Sequence, residues 1–364
     1  MKKIMTIFGT RPEAIKMCPV IIELKQSKKF KTIITLTGQH REMLDDVLKA
    51  FKIVPDYNLN IMKSEQSLFD ITINILNKIN QVLDEVTPDL VLVHGDTSTT
   101  FLSSLACFYK HIPIGHVEAG LRTYNINSPF PEEFNRRAVS IISKYDFAPT
   151  KEAMMNLIKE GKDKKNIYIT GNTAIDSLKF TVRDDFNHPL LSWAKDSKLI
   201  ILTAHRRENL EKLENIFLGI KAAIDSFSDL KVIYPVHKNP KVETIAKKVF
   251  KDHERIKLIP PLEVTQFHNF LARSYLILTD SGGIQEEAPS LNVPVLVLRE
   301  ETERPEGILS NALKLVGTNK DNIYQEIKAL IENKEAYQKM KKATNPFGDG
   351  LASTRIKKIL EDRL

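Results

Sequence analysis

Short apolar runs alternate with amphipathic helical patterns along the whole chain, and this alternation limits the fold more than any other feature. Runs typical of buried strands occupy residues 4–8, 32–37, 89–93, 113–117, 199–203, 231–234, 255–259, 275–279 and 294–298. Between them lie predicted helices at 14–25 and 41–50, and apolar residues recurring at three- and four-residue steps predict another over 67–86. Such alternation predicts parallel sheets covered by helices.

The length of the chain predicts two domains of this kind. Its 364 residues compare with roughly 150 residues in a typical domain. We therefore predict an α/β protein with two doubly wound, Rossmann-like domains facing a central cleft. Residues 1–171 form the first predicted domain and residues 172–350 the second. The polar interval 172–198, which contains His188-Pro189, is the predicted link.

Polar residues at the ends of the predicted strands mark where a ligand would bind. In open parallel sheets, ligands lie at the carboxyl ends of the strands. The residues found there are small, charged or imidazole groups: Gly9-Thr10-Arg11, His94-Gly95-Asp96, Glu118, His205, His237 and Ser281-Gly282-Gly283. Two domains would bring two such edges together across the cleft.

Charge and cysteine content limit the partners and the compartment. The chain has 53 Lys and Arg against 46 Asp and Glu, and the net charge of +7 suggests an anionic partner. Nucleic acid, a membrane surface and a small phosphorylated substrate all fit that charge. Two cysteines, Cys18 and Cys107, are too few for a disulfide framework. With no signal peptide and no run of ~20 apolar residues, the sequence predicts a cytoplasmic protein without a membrane partner.

Two glycine turns are suited to binding phosphate. Ser281-Gly282-Gly283 lies between a predicted strand and a helix, where backbone N–H groups attract an anion. Glu287, one helical turn further, could hold ribose hydroxyls. Arg11 and Lys16 follow a second such turn and could pair with phosphate. Taken alone, such residues are more commonly plain turns and solvated surface charges than a phosphate site.

Carboxylates gather in the first half of the chain. Asp96, Glu118 and Glu132 each follow the end of an element. Carboxylates that share a cleft shift one another's pKa values, so that one can hold a proton near neutral pH and act as a general acid or base. Each acid alone is also typical of a helix start that complements the helix dipole.

Several motifs are absent from the sequence. It contains no G-x-G-x-x-G and no P-loop motif, so dinucleotide or P-loop binding is not predicted. No H-E-x-x-H motif or Cys/His cluster predicts a metal, and nothing predicts an organic cofactor. The basic residues are not interleaved with aromatic residues, so nucleic acid is excluded as a predicted partner.

Together the motifs resemble those of one family. The motifs that carry the resemblance are Phe8-Gly9-Thr10-Arg11-Pro12-Glu13, Gly38-Gln39-His40-Arg41, Val93-His94-Gly95-Asp96-Thr97, His116-Val117-Glu118-Ala119-Gly120, Pro131-Glu132-Glu133, Thr170-Gly171-Asn172-Thr173, Ala204-His205-Arg206-Arg207-Glu208, Ser281-Gly282-Gly283-Ile284-Gln285-Glu286-Glu287 and Thr302-Glu303-Arg304-Pro305-Glu306. In order and spacing, the chain resembles the non-hydrolysing bacterial UDP-N-acetylglucosamine 2-epimerases.

The resemblance implies a GT-B-like fold, a homodimer, and a C-terminal helix within residues 351–364 that crosses back to the first domain. The residues implied to be catalytic are Asp96, Glu118, Glu132, Arg136 and His205. The residues implied to bind the UDP-sugar are Arg11, Lys16, Leu262, Phe267, Ser281, Gly282, Gly283, Glu287 and Arg304. Among them, Leu262 and Phe267 would contact the uracil and Glu287 the ribose.

The implied reaction inverts C2 of UDP-N-acetylglucosamine (UDP-GlcNAc) to give UDP-N-acetylmannosamine for cell-surface polysaccharide synthesis. The C2 proton is not acidic, because C2 lies next to an acetal carbon. The family chemistry therefore eliminates UDP to give 2-acetamidoglucal and adds UDP back with a proton on the other face of C2.

The resemblance also implies a second UDP-GlcNAc molecule that acts as an activator. Gln39, His40, Arg206 and His237 match the positions that bind it. Other members carry Gln and Arg where this chain has Glu42 and Glu65, and these acids would repel a diphosphate that they faced.

Four alternative functions keep the same uridine-binding residues, and one of them is a sugar-nucleotide sensor without enzymatic activity. The other three are enzymes. One is a 2-epimerase of a modified UDP-N-acetylhexosamine, such as a 6-deoxy sugar. The second is a GT-B glycosyltransferase, against which the crowd of carboxylates argues. The third is a hydrolysing epimerase that releases N-acetylmannosamine and UDP.

Overall fold

The chain folds into two compact units. The computed structural model describes residues 1–38, 41–62, 66–302 and 304–364, with the backbone alone for residues 41–43. The first unit comprises Met1–Phe180 and Gly348–Leu364, and the second comprises Thr181–Phe347.

The elements of both units alternate between strand and helix. The strands are β1 (Lys2–Phe8), β2 (Phe30–Leu36), β3 (Tyr57–Asn58), β4 (Leu90–His94), β5 (Ile114–Val117), β6 (Tyr145–Ala148), β7 (Ile167–Ile169), β8 (Lys198–Thr203), β9 (Leu230–Pro235), β10 (Ile256–Ile259), β11 (Leu276–Thr279), β12 (Val295–Val297) and β13 (Leu313–Leu315). The α-helices are α1 (Arg11–Gln26), α2 (Arg41–Ala50), α3 (Leu68–Val86), α4 (Ser98–Tyr109), α5 (Glu132–Ile142), α6 (Lys151–Lys159), α7 (Thr173–Thr181), α8 (Pro189–Trp193), α9 (Leu213–Ser226), α10 (Pro240–Phe250), α11 (Val264–Ala272), α12 (Gly282–Glu287), α13 (Pro305–Leu309), α14 (Lys320–Glu332), α15 (Lys334–Lys341) and α16 (Ala352–Arg363).

Each unit is built on one parallel sheet. In the described residues, the first sheet has the strand order β3-β2-β1-β4-β5-β6-β7 and the second the order β10-β9-β8-β11-β12-β13. The chain winds outwards in one direction from β1 and in the other from β4, so the order reverses between these two strands. The second sheet reverses in the same way between β8 and β11. Ligands of doubly wound sheets bind outside the strand ends at this switch point.

The central strands owe their position to apolar residues on both faces. Residues Ile4–Phe8 of β1 and all of β4 are buried, as expected for strands covered by helices on both sides. Helix α1 begins directly after β1, where Thr10 and Glu13 form a capping box and Pro12 occupies the first turn. The start of α1 is thereby held at the carboxyl edge of the sheet.

The predicted doubly wound α/β fold is confirmed, and each predicted strand is present. The strands without a sequence prediction are β3, β6, β7 and β13, which have two to four residues each. β6 also carries the buried Asp146, whose carboxylate accepts a hydrogen bond from Ser143 Oγ at 2.6 Å and lies 3.2 Å from Lys162 Nζ. Because so short a run contains a charged residue, a hydrophobicity pattern does not predict β6 as a strand.

The interval 172–198 is not a simple link, and here the sequence prediction is wrong. Its first part forms α7, and the first unit extends to Phe180 rather than to residue 171. The Asp176 carboxylate of α7 accepts hydrogen bonds from the backbone N–H groups of Ala352 and Ser353 at 3.2 and 2.8 Å. These bonds hold the start of α16, so α7 and α16 belong to the same unit.

The C-terminal helix α16 belongs to the first unit. α16 packs against α1, with Ile356 and Leu360 fully buried. Lys357 Nζ lies 2.5 Å from Glu23 Oε2 of α1.

None of the helices in the described ranges is long and apolar enough to span a bilayer.

Candidate active site

The switch point of the first unit is organised by one buried carboxylate. Glu13 Oε2 accepts hydrogen bonds from the backbone N–H groups of Gly9 at 3.0 Å and Thr10 at 2.8 Å, which follow β1. Glu13 Oε1 accepts hydrogen bonds from the hydroxyls of Thr97 at 2.7 Å and Thr100 at 3.2 Å, at the start of α4. The carboxylate thus joins the two loops on either side of the switch point and fixes the edge where Arg11 and Asp96 lie.

Glu118 follows β5 and is surrounded by hydrogen-bond donors and cationic groups. Its Oε2 forms a salt bridge with Lys16 Nζ, accepts a hydrogen bond from Asn172 Nδ2 at 3.2 Å and lies 3.6 Å from His94 Nε2. Burial alone would raise the pKa of Glu118, but Lys16 and His94 outweigh it and hold the pKa well below its usual range. Glu118 is therefore ionised at neutral pH.

The backbone of Glu118 is unusual for a residue with a side chain. Its φ of +64° lies in the left-handed region, which non-glycine residues adopt rarely. Strain of this kind persists where the surrounding structure demands it, commonly at functional sites. The residue with this backbone conformation is the one whose carboxylate contacts Lys16.

Asp96 has the opposite electrostatic environment. Its Oδ2 lies 2.5 Å from Arg136 Nη2 on α5, and its carbonyl accepts a hydrogen bond from Asn135 Nδ2 at 2.9 Å. Loss of solvation raises the pKa of Asp96, and the nearby Glu118 carboxylate adds to the rise, while Arg136 opposes it. The pKa values of the two neighbouring carboxyl groups, Asp96 and Glu118, are therefore shifted in opposite directions.

The two adjacent acids at the start of α5 lie in different surroundings. Glu133 is fully buried and accepts hydrogen bonds from the backbone N–H groups of Thr123 and Tyr124, each at 3.1 Å. Glu132 is half-buried and has no side-chain partner among the residues that the structure describes. It lies one helical turn before Arg136, so both side chains are on the same face of α5.

In the second unit, an arginine lies against the glycine turn. A Cβ built on Gly282 would be 2.7 Å from Arg304 Nη1, so the guanidinium contacts the backbone of the turn. Arg304 Nε donates a hydrogen bond to Glu286 Oε1 at 2.7 Å, which orients the guanidinium. The Ser281 backbone N–H already donates to Thr279 Oγ1 at 2.9 Å. The cationic nitrogens of Arg304 and the backbone N–H groups of Gly282 and Gly283 suit the oxygens of a diphosphate.

Glu287 lies at the same turn. Its Oε1 is 3.9 Å from the Cβ position of Gly283, and its Oε2 is 3.4 Å from His268 Nε2. The other ring nitrogen of His268 shares a hydrogen bond of 2.7 Å with the hydroxyl of Thr181. Leu262, before α11, and Phe267, within it, are both half-buried near this part of the chain.

His205 follows β8 at the switch point of the second unit. Its ring stacks on that of His237 after β9, with centroids 4.9 Å apart and planes at 4°. Burial lowers the pKa of His205, with His237 and Arg206 adding to the fall, whereas Asp280 opposes it. The site therefore holds an imidazole whose protonation depends closely on its neighbours.

Part of the predicted activator site is outside the described residues. Gln39, His40 and Glu65 lie outside them, as does the side chain of Glu42. Arg206 is half-buried and His237 exposed, and both lie beside His205.

The chain also matches known proteins over nearly its whole length. A family model described as UDP-N-acetylglucosamine 2-epimerase matches residues 22–361. The UDP-N-acetylglucosamine 2-epimerase of Bacillus subtilis strain 168 is 56% identical over 97% of this chain and 93% of that protein. The chain belongs to the UDP-N-acetylglucosamine 2-epimerase family.

Solved structures of the family have the same fold. S. aureus MnaA, solved with UDP, is 54% identical, with a TM-score of 0.91 over 100% of this chain and 97% of that one. The Neisseria meningitidis UDP-GlcNAc 2-epimerase bound to UDP-GlcNAc is 46% identical, with a TM-score of 0.91 over 99% of this chain and 100% of that one. The family resemblance stated from the motifs and the GT-B-like fold are thereby confirmed.

In this family member, each unit gathers its own set of predicted residues. The first unit brings together Asp96, Glu118, Lys16 and Arg136, and the second brings Arg304 and Glu287 to the glycine turn. The sequence analysis assigned no role to four further polar residues: Glu13, His94, Asn172 and Asp280. Glu13, His94 and Asn172 lie within quoted motifs, and Asp280 directly precedes one. The Thr-x-x-Glu capping box was the one local signal for Glu13.

Proposed function

We propose that the protein interconverts UDP-GlcNAc and UDP-N-acetylmannosamine by eliminating UDP and adding it back. The observation that carries this proposal is the pair of neighbouring carboxyl groups, Asp96 and Glu118, with pKa values shifted in opposite directions. Such pairs divide proton transfer and charge stabilisation between two acids. The relatives named above supply the substrate class.

The electrostatics support separate roles for the three acids. Asp96 holds a proton more readily than an ordinary carboxyl group, so we assign it to proton exchange at C2. Inversion requires a second group on the other face, and Glu132, one turn from Arg136, is assigned to it. Glu118 remains anionic and stabilises the positive charge that develops at C1 when UDP departs.

The second unit is assigned to the nucleotide. The Ser281 hydroxyl, the backbone N–H groups of Gly282 and Gly283 and the Arg304 guanidinium would bind the diphosphate. Glu287 would bind the ribose, and Leu262 and Phe267 the uracil. His205 would stabilise the departing UDP, and Arg11, at the edge of the first sheet, would pair with phosphate.

The reaction is tested by incubating the protein with UDP-GlcNAc in D2O. We expect UDP-N-acetylmannosamine to form, with solvent deuterium at C2 of both sugar nucleotides, as measured by NMR and mass spectrometry. The Glu118→Gln variant should bind UDP but lose a factor on the order of 10²–10⁴ in kcat. If neither the epimer nor deuterium at C2 is found, even with excess UDP-GlcNAc, the proposal is refuted.

The same incubation separates the alternatives. Free N-acetylmannosamine and UDP would indicate a hydrolysing epimerase, and UDP release that requires an added acceptor would indicate a glycosyltransferase. A panel of UDP-N-acetylhexosamines, including 6-deoxy sugars, identifies the preferred substrate through kcat/KM. We propose that the product supplies cell-surface polysaccharide synthesis. We also propose that the enzyme acts in the cytoplasm, in keeping with its two buried free thiols, Cys18 and Cys107.

We further propose that the enzyme is a homodimer joined through α3, α4 and α5. α4 packs against both of its neighbours, and these helices expose apolar side chains: Phe69 is 79% exposed, Tyr109 70% and Ile141 79%. Exposed apolar groups on adjoining helices are typical of protein interfaces. Light scattering should show a dimer that Phe69→Glu converts to a monomer. Leu309→Glu, at an equally exposed site of the second unit, should remain dimeric, and a monomeric wild type would contradict the proposal.

A second UDP-GlcNAc molecule is proposed as an activator at Gln39, His40, Arg206 and His237. The substrate dependence of the wild type should then be sigmoidal. Glu42→Gln removes a charge that would repel the activator's diphosphate, and it should lower the concentration at half-maximal activation. Hyperbolic kinetics in both proteins would contradict the proposal.

A further inference from the structure

A buried carboxylate beneath His205 has no role in the reaction as proposed above. Asp280, at the end of β11, is fully buried. Its Oδ2 accepts hydrogen bonds from the backbone N–H groups of His205 at 2.8 Å and Arg206 at 2.9 Å, and from Asn209 Nδ2 at 3.1 Å. This oxygen fixes the loop that carries the imidazole.

The other oxygen of Asp280 faces the imidazole itself. Oδ1 is buried, accepts no hydrogen bond from the described part of the chain, and lies 3.6 Å from His205 Nδ1. A buried carboxylate oxygen without a donor is costly. A movement of roughly 0.7 Å would bring Nδ1 to hydrogen-bond distance.

The environment of the ring favours one orientation and one tautomer. His237 stacks on His205 and limits its rotation. His237 Nδ1 accepts a hydrogen bond from the Asn239 backbone N–H at 3.1 Å, which places the proton of neutral His237 on Nε2. The charged and titratable groups facing His205 are Asp280 at the end of β11, His237 after β9, and Arg206 and Glu208 on its own loop. Asp280 is the acceptor among these that lies next to Nδ1.

We propose that Asp280 is the positioning residue of His205, holding the imidazole with Nδ1–H towards its Oδ1 and Nε2 towards the nucleotide. The inference rests on the proposed epimerase function. When the C1–O bond breaks, its electron pair passes to the diphosphate, and the Nε2 proton of the imidazolium transfers to that oxygen. His205 is left as the neutral Nδ1–H tautomer that Asp280 accommodates, and the same proton returns when UDP is added back.

The tautomer is measured directly in the wild type by long-range ¹H–¹⁵N NMR of protein labelled at histidine. The His205 signals are identified by their absence in His205→Asn. We expect the neutral ring to carry its proton on Nδ1. A proton on Nε2 would overturn the proposal, and this result does not depend on activity.

Asp280→Asn provides the second test. Its amide can donate to Nδ1 and so favour the other tautomer. We expect a fall in kcat on the order of 10²–10⁴ with KM changed less than about threefold, and the tautomer should switch. Loss of the negative charge should also move the alkaline limb of the kcat profile to lower pH, because His205 donates its proton as the imidazolium. Unchanged kcat, pH profile and tautomer in a folded variant would refute the proposal.

Asp146→Asn is the matched control, because Asp146 is an equally buried carboxylate of β6. We expect it to lower the thermal stability and leave kcat and the His205 tautomer unchanged. If the wild type fails to epimerise any UDP-N-acetylhexosamine, the proposed function falls. The tautomers of wild type and Asp280→Asn then still decide whether Asp280 positions His205.

Discussion

Replacing Glu13 measures how much the switch point of the first unit depends on one carboxylate. In Glu13→Ala, the backbone N–H groups of Gly9 and Thr10 lose their acceptor. The hydroxyls of Thr97 and Thr100 lose theirs as well, but a hydroxyl can rotate to another acceptor, and Thr100 Oγ1 already lies 2.5 Å from the carbonyl of His94. The unpaired N–H groups therefore determine the cost.

The expected magnitudes differ between two substitutions. Each buried donor left unpaired costs about 1–3 kcal/mol, so Glu13→Ala should lower the free energy of unfolding by roughly 3–6 kcal/mol once the cavity is included. In Glu13→Gln, the amide oxygen still accepts from both N–H groups, and the rotated hydroxyls accept from the amide NH2. Only the charge assistance of the hydrogen bonds is lost, which is about 1–2 kcal/mol.

Urea unfolding followed by far-UV circular dichroism provides the free energies. Glu23→Gln is the control on the same helix, since Glu23 forms an ion pair with Lys357 and should contribute less than about 1 kcal/mol. Equal losses for Glu13→Ala and Glu13→Gln would show that the backbone N–H groups are not what the carboxylate stabilises, and would refute the reasoning.

Three further outcomes are expected. Burial raises the pKa of Glu118, but Lys16 and His94 outweigh burial and lower it, so the folded protein protonates Glu118 at lower pH than the unfolded chain does. The ionised Glu118 therefore stabilises the fold above about pH 4.5, and this stabilisation is lost as pH falls below that value. Urea unfolding should show that the difference in stability between wild type and Glu118→Gln shrinks as pH falls. In Gly282→Ala, a Cβ 2.7 Å from Arg304 Nη1 displaces the guanidinium, and calorimetry should show UDP bound about tenfold more weakly, a loss of about 1.4 kcal/mol. Asp176→Ala leaves two buried N–H groups of α16 unpaired, which should lower the free energy of unfolding by about 2–4 kcal/mol and speed hydrogen exchange in α16.

The sequence predicted the central strands and the residues that follow them, because both depend on short-range patterns. β1, β4, β8 and β11 are apolar runs that end in polar residues. Within each sheet, parallel pairing places the ends of its strands at the same edge. The position of His205 and Asp96 at such an edge therefore follows from hydrophobicity and strand direction alone.

The partners of these residues could not be predicted in the same way. Lys16 and Asn172 approach Glu118 from distant parts of the chain, so no local spacing records the contact. The local sequence explains Glu13 as half of a capping box. It gives no sign that Glu13 also accepts hydrogen bonds from Thr97 and Thr100. β6 was missed because its Asp146 is stabilised by Lys162, a contact that a hydrophobicity pattern does not contain.

The first unit is assembled from both ends of the chain, and this affects the order in which the protein can fold on the ribosome. Domains generally fold as they emerge, the N-terminal one first. Here α1 cannot bury its face against α16 until residues 352–363 have been synthesised. The second unit is contiguous over Thr181–Phe347 and is complete earlier. Nascent chains arrested before α16 should therefore protect the second unit from proteolysis before the first, and a shortened C-terminus should impair the unit that contains the N-terminus.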